Sequence, residues 1–357
     1  MQRLTVAGRL IITLAVLAAF YFGFRYFMGS RPGAGADVAQ TTSGIDPMPG
    51  NAPASEGAPA DINADEYGPA GAGPSQSQGQ QPGGAAAPVA AFSYEAPAPV
   101  GGKLKGVVEL GASGFNSFIV RIDPQRNWKL EKAEFGNSLV MENMASDDDV
   151  RKGLKSYIGQ MLDFGVSGRD IHFVVSSGAA KASGTQKIVK ALKSLNYVVN
   201  TVTPEKEGQL GLRCVLPKSY ADKAFVTDIG SGNTKISWLA GGAPKAVETF
   251  GAKYFQNGTD DAKVAEDVKA KSQQIPENLR QTCFIIGGVP FEMAKEVRQG
   301  KQRYTVLNAA DAYKMDNAKS KAGINIYRAV AEATGCKQFV FDWDANFTIG
   351  YLLTLPN

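Results

Sequence analysis

A single histidine in 357 residues leaves little room for the chemistry that histidine usually carries. His172 lies inside the apolar run 171–175, so it reads as a structural side chain, which argues against serine–histidine hydrolysis and histidine-based zinc sites. Cysteine is nearly as sparse. Cys214, Cys283 and Cys336 lack metal-ligand spacing and cannot staple a chain of this length, so they read as free thiols of a core. Lysine is missing before Lys103. No basic–aromatic stripe marks a nucleic-acid surface, so nucleic acid is not an expected partner.

What is present is distributed unevenly. Eleven of the 18 prolines fall within residues 31–102. The first 30 residues carry Arg3, Arg9 and Arg25 and no acid, a charge of +3, and residues 31–102 carry −6. Against a total of +4, this leaves +7 for residues 103–357, a balance that suits a polyanionic ligand and equally suits acidic surfaces. The chain therefore divides into 1–30, 31–102 and a globular unit long enough to bury a core.

Residues 10–24 are apolar and uncharged, and the apolar character resumes after Arg25. As one helix, residues 10–30 rise about 30 Å, enough to cross a bilayer core, with Arg25 placed to snorkel and Tyr21 and Tyr26 at an interface. The competing reading is a cleaved signal peptide, with Ala34-Gly35-Ala36 as the small-residue site. The anchor is the stronger reading, because that site lies far beyond the apolar stretch. It implies a single pass of a bacterial inner membrane. The arginine balance favours the exported side for the large domain, by a margin of one charge. Residues 31–102 are rich in Ala, Gly, Pro, Ser and Gln and cannot bury enough surface to offset chain entropy. They are expected to be disordered, with a reach of roughly 45 Å.

From Lys103 the pattern is α/β. Residues 106–111 and 117–123 read as strands joined by a Gly, Ala and Ser turn, followed by strands at 128–135 and 171–175 and a helix over 146–164. The run Asp147-Asp148-Asp149 reads as a helix start rather than a metal site. A helix to about Leu195, a strand at 197–202 and a short helix from Glu205 close this half, 103–220. The alternation then restarts in 221–357: strands at 225–228, 234–239 and 246–250, a helix at 260–273, strands at 283–286 and 338–341, and a helix at 320–334. Two halves that each open with a glycine-turned hairpin suggest a duplicated architecture with a central cleft.

The sharpest motif is VTDIGSGNTKI (226–236): an acid ends an apolar strand and a glycine turn reverses the chain. Glycines let backbone N–H groups approach phosphate oxygens, with Ser231, Asn233 and Thr234 as added donors and Asp228 placed for Mg2+. GVVELGASGFNSFIV (106–120) repeats the design with Glu109, and FIIGGV (284–289) supplies a third glycine turn.

This series resembles the acetate and sugar kinase, heat-shock chaperone and actin superfamily, and within it the exopolyphosphatase and guanosine pentaphosphate phosphohydrolase (Ppx/GppA) family. The resemblance runs in order through 103–357. It includes IHFVVSSGAAKA (171–182), TPEKEGQLG (203–211) and the closing CKQFVFDWDANFTIGYLL (336–353). It implies two actin-like, ribonuclease H-like halves. It also implies phosphate contacts from Gly111, Ser113, Gly230, Ser231, Gly232, Asn233, Thr234, Gly287 and Gly288. Glu109 and Asp228 would hold Mg2+, and Glu207 and Lys181 would be catalytic. The sequence departs from the family in having Glu109 for Asp, Lys181 for Arg, a longer first turn, and no Arg near Gly350, where Thr348 stands. Hydrolysis of polyphosphate or a nucleotide phosphate is the expected activity. The alternative is a non-catalytic phosphate sensor or assembly scaffold at a membrane. A phosphate-rich molecule, the lipid bilayer and a second copy of the chain are the expected partners.

Overall fold

The computed structural model describes residues 92–111, 115–136, 147–180 and 183–356. The anchor expected at 10–30 lies outside them, as do Ser113 and Lys181. Among the described residues no helix is long and apolar enough to cross a membrane.

The first half runs β1 (Lys103–Leu110), β2 (Phe115–Ile122), β3 (Trp128–Gly136), α1 (Asp147–Asp163), β4 (Ile171–Val175), α2 (Ser183–Ser194), β5 (Val199–Thr201) and α3 (Pro204–Val215). The second half runs β6 (Ala224–Ile229), β7 (Asn233–Ala240), β8 (Ala243–Phe250), α4 (Asp261–Ser272), β9 (Thr282–Ile286), α5 (Gly288–Val297), β10 (Tyr304–Val306), α6 (Ala318–Thr334), β11 (Gln338–Asp342) and α7 (Phe347–Leu352). The order of the first half is thus repeated, with β10 and one helix inserted. The sheets repeat as well. One is ordered β3-β2-β1-β4-β5, and the other carries β8-β7-β6-β9-β11 in the same sequence with β10 on its edge. Both are mixed, because the opening hairpin is antiparallel while β1–β4 and β6–β9 are parallel.

Three apolar clusters hold the layers. One joins the first sheet to α1 and α2 through Leu154, Ile158, Ile188 and Leu192. Another joins the second sheet to α4, α5 and α6 through Val264, Met293 and Ile326. The third lies between the sheets and takes Val107 and Val120 from one, Val226 and Val340 from the other, and Leu210 of α3 and Ile349 of α7. Such a face-to-face stack of sheets and amphipathic helices is the standard solution for sheets apolar on both faces. It explains why α3 runs 12 residues rather than being short: seven of them, including Leu210, Leu212 and Val215, are buried. Its start is fixed by Thr203, whose side chain accepts from Lys206 N–H at 3.2 Å, with Pro204 following.

The expectation of disorder through residue 102 is corrected for 92–102. This segment forms no helix or strand, but Phe92 packs with ring centroids 5.5 Å from Tyr304, 5.7 Å from Phe284 and 5.8 Å from Tyr220. Val100 N–H donates to Asp123 at 3.2 Å. The two aromatic residues near its start, Phe92 and Tyr94, give it the apolar area that the rest of the linker lacks.

Candidate functional site

The tips of β1 and β6 carry the candidate acids. In the first hairpin Glu109 of β1 stands opposite Asn116 of β2, and in the second Asp228 of β6 stands opposite Lys235 of β7. Cross-strand neighbours share a sheet face, so each acid meets its partner's side chain directly. Asn116 donates to Glu109 Oε2 at 3.0 Å, and the same oxygen accepts from Asn346, the N-cap of α7, also at 3.0 Å. Burial pushes the Glu109 carboxyl up to about 7, opposed by these amides and assisted by the charges of Glu207 and Asp228.

Glu207 is the third acid. On α3 its neighbours Glu205 and Lys206 are exposed, whereas Glu207 is 3% exposed and points to the layer between the sheets. Its Oε1 pairs with the Lys235 ammonium, and its Oε2 accepts from Ser177 N–H at 2.9 Å and Ser177 Oγ at 2.6 Å. Lys235 Nζ also lies 3.8 Å from Asp228 Oδ2. Burial works against the ammonium, but Asp228 and Glu207 outweigh it and hold its pKa above the ordinary lysine value. The sheets thus bring Glu207 and Asp228 to one buried ammonium, with Glu109 acting on it electrostatically.

The glycine turns converge on the same place. Gly230 N–H donates to Asn233 C=O at 3.1 Å, closing the second turn. Gly287 has φ 112° and caps α5 without a side-chain hydrogen bond, and a Cβ there would strike the Ile229 backbone. The N–H groups opening α5 at Gly288 therefore start beside the end of β6, a polarity that suits anions. Asn233 Nδ2 donates to Ser177 Oγ at 3.1 Å and to Glu248 at 2.7 Å, bridging the halves across the mouth of the expected cleft. Gly111 follows directly on β1 at the tip of the first hairpin. Thr234 departs from expectation. Strand alternation puts its side chain on the face of Ile236 and Trp238, away from Lys235, where its buried hydroxyl has no partner among the described residues. Only the Thr234 backbone remains for a phosphate.

Magnesium fits this donor set poorly. It demands near-octahedral oxygen ligands at about 2.0–2.1 Å, whereas the Lys235 ammonium already engages Glu207 and faces Asp228. Among the described residues no group of three or more His, Cys, Asp and Glu side chains is arranged to hold a metal ion. The two acids expected to hold Mg2+ meet two amides at Glu109 and an ammonium at Asp228. His172 is half-buried in β4 with its ring 5.8 Å from Tyr351, and all three cysteines are buried free thiols.

The sequence reading missed Lys235, Asn116 and Asn346. Lys235 carried a usable signal: it and Asp228 sit symmetrically about a short glycine turn, which pins them opposite each other. Asn346 is 237 residues from Glu109 and had no local signal.

A mixed-sheet duplication of this order defines the α/β actin-like ATPase fold. Within that class the chain has the fold of Ppx/GppA structures. It is similar to the Aquifex aeolicus Ppx/GppA family member with TM-score 0.54 and 16% identity, over 71% of this chain and 97% of that one. It is similar to an exopolyphosphatase from Cytophaga hutchinsonii with TM-score 0.56 and 13% identity, over 71% and 97% of the two chains. The type II variant of the Aquifex aeolicus Ppx/GppA phosphatase matches with TM-score 0.53 and 14% identity, over 71% and 99%. No family model matches the chain. No curated protein matches it in sequence.

Proposed function

We propose that the chain binds a phosphate-rich ligand, polyphosphate or a nucleotide phosphate, between its glycine turns as a membrane-held sensor or scaffold, and does not turn it over. One observation carries this reading: both oxygens of Glu207 are already engaged, one by the Lys235 ammonium and the other by Ser177. A general base must be able to take a proton from an attacking water, and an ammonium-paired, buried carboxylate is poorly disposed to do so. Phosphate binding is supported by the backbone turn at Gly230–Asn233, the N-terminus of α5 beside it and the likeness in fold to Ppx/GppA structures. In this reading residues 10–30 cross the membrane and residues from 31 to about 91 form the tether. The folded halves 103–220 and 221–357 stand on the exported side.

Hydrolysis is the second reading. The Glu109 carboxyl, pushed up to about 7 beside the second hairpin, is in range for proton transfer at neutral pH. Phosphate release by the full-length chain from polyphosphate, ATP and guanosine pentaphosphate, with and without Mg2+, separates the two. The expected result is binding of a phosphate chain by calorimetry with no release. Release that disappears in Glu109→Gln or in Glu207→Gln overturns the non-catalytic reading.

A further inference from the structure

Residues 92–102 reach the folded unit without joining either sheet, and they are held at their two ends in different ways. Next to β1 the grip is polar: Val100 N–H donates to Asp123 at 3.2 Å, and Gly102 C=O accepts from Arg121 at 3.2 Å. At the other end it is aromatic. Phe92 packs on the rings of Tyr220, Phe284 and Tyr304, and Tyr94 on those of Tyr220 and Tyr304, with centroids 5.5 to 6.0 Å apart. Residues 92, 94 and 96 are half-buried while 93 and 95 are exposed, the alternation of an extended peptide laid on a surface. Among the described residues no hydrogen bond is made to residues 92–99.

The wall that receives these rings has supports of its own. Tyr220 and Phe284 pack edge to face at 5.1 Å, and Phe284 and Tyr304 at 6.3 Å. Arg303 stacks 5.2 Å from the Tyr304 ring and is itself fixed by two 2.9 Å bonds to buried Asp342. Lys223 lies 4.7 Å over Tyr220. Each ring of the groove is thus held by something other than the segment that fills it, which is what a groove needs to outlast its occupant. The occupant is held by ring contacts alone, so it can be peeled away without breaking a sheet. Its two grips lie on different halves, Asp123 and Arg121 on the first and Phe284 and Tyr304 on the second, with Tyr220 at the junction. Pro97 and Pro99 stiffen the span between Phe92 and Val100, and a pull on the chain before residue 92 meets the rings first.

We propose that the groove of Tyr220, Phe284 and Tyr304 is a docking site for an extended aromatic-x-aromatic peptide, that Phe92-Ser93-Tyr94 is its resident occupant, and that this occupancy is a releasable latch between the two halves. The inference concerns packing alone and holds whether or not a phosphate ligand is bound or hydrolysed.

The test is hydrogen exchange of the full-length chain in detergent, together with titration by a synthetic peptide of residues 90–102. In wild type the latch faces its groove at an effective concentration in the millimolar range, so free peptide at about 0.1 mM is excluded. In Phe92→Ala/Tyr94→Ala, exchange is expected to quicken roughly ten-fold or more at Val100 and at Tyr304–Val306. It should stay unchanged in α1 and α2, which pack in a different cluster. The peptide should bind this variant roughly ten-fold more tightly than wild type and restore protection at Tyr304–Val306. A peptide carrying the same two alanines should do neither. Should the double variant fail to fold, Tyr94→Ala, which keeps the Phe92 ring, carries the same titration. A folded variant that binds the peptide no better than wild type overturns the proposal, as does one whose exchange at Tyr304–Val306 is unchanged. Dimerisation of the wild type that is lost in the double variant would seat a second copy's segment in the groove and overturn the resident occupancy.

Discussion

In the first hairpin the acid at the strand tip faces an amide, Glu109 opposite Asn116; in the second it faces an ammonium, Asp228 opposite Lys235. The strands around the two pairs are repeats of each other: an antiparallel hairpin with a parallel neighbour on the other side. The electrostatics are not repeated. Two amides hold Glu109, and burial shifts it toward its neutral form, whereas in the second hairpin the carboxylates of Asp228 and Glu207 hold Lys235 in its charged form. A duplicated fold thus supplies two equivalent places for chemistry, and one cross-strand residue at each decides what the place can do.

The largest effect should come from removing that residue in the second hairpin. Lys235→Met leaves Glu207 buried without its partner, a change that typically costs about 3–5 kcal/mol. Asn116→Ala in the first hairpin removes one neutral amide from an oxygen that keeps Asn346, and should cost about 1 kcal/mol. Urea denaturation of the two variants measures both. Equal losses would show that the hairpins are held by their backbones and that the contrast in charge is energetically idle.

Titration sharpens the contrast further. An unfolded chain gives up the Glu109 proton near 4.5, and the folded protein near 7. Between those values the folded state binds more protons, so the contribution of Glu109 to stability falls as pH rises through this window and is level above it. Relative to Glu109→Gln, wild type should lose about 3 kcal/mol between pH 4.5 and 7. A difference that stays flat over that range would mean that Glu109 is ionised throughout and that the first hairpin is as charged as the second.

Much of this architecture was legible in the sequence, for reasons that differ between elements. Ile171–Val175 is found where its apolar run placed it, because a buried parallel strand has no other reading at that length. The design of strand, acid and glycine turn was visible twice, since glycine turns and alternating strands are local signals. α3 reads as longer in the structure than in the sequence because its apolar residues face two sheets and break a simple amphipathic pattern. Lys235 could be placed opposite Asp228 by the symmetry of the turn, but its burial could not be read, since a lysine in an alternating strand ordinarily marks the solvent face. Only the layer of α3 and α7 between the sheets makes that face interior.

The last helices of the two halves, α3 and α7, meet where Gly350 passes Leu210, and a Cβ at Gly350 would overlap the Leu210 carbonyl. Gly350→Ala must push the helices apart, and overpacking of this kind costs about 1–3 kcal/mol. Gly211, the residue after Leu210 on α3, leaves a Cβ at ordinary contact, 4.0 Å from Phe347, so Gly211→Ala should cost much less. Thermal melting of the pair decides whether the crossing is as asymmetric as its contacts.

The smallest expected effect tests what joins the hairpins across the mouth. Ser177 Oγ donates to Glu207 at 2.6 Å and accepts from Asn233 at 3.1 Å, so it links α3 to the second turn. In Ser177→Ala neither partner is stranded. Glu207 keeps the Ser177 backbone N–H at 2.9 Å and the Lys235 ammonium, and Asn233 keeps Glu248 at 2.7 Å. The cost should therefore stay at the level of one replaceable hydrogen bond, about 0.5–1.5 kcal/mol. Amide exchange should quicken at Gly230–Thr234, where the turn has lost a tie, and remain unchanged in β1, whose acid is held by other donors. A loss as large as that of Lys235→Met would mean that the hydroxyl rather than the ammonium fixes Glu207. The distinction between a charged and a neutral hairpin would then no longer account for how the second acid is held.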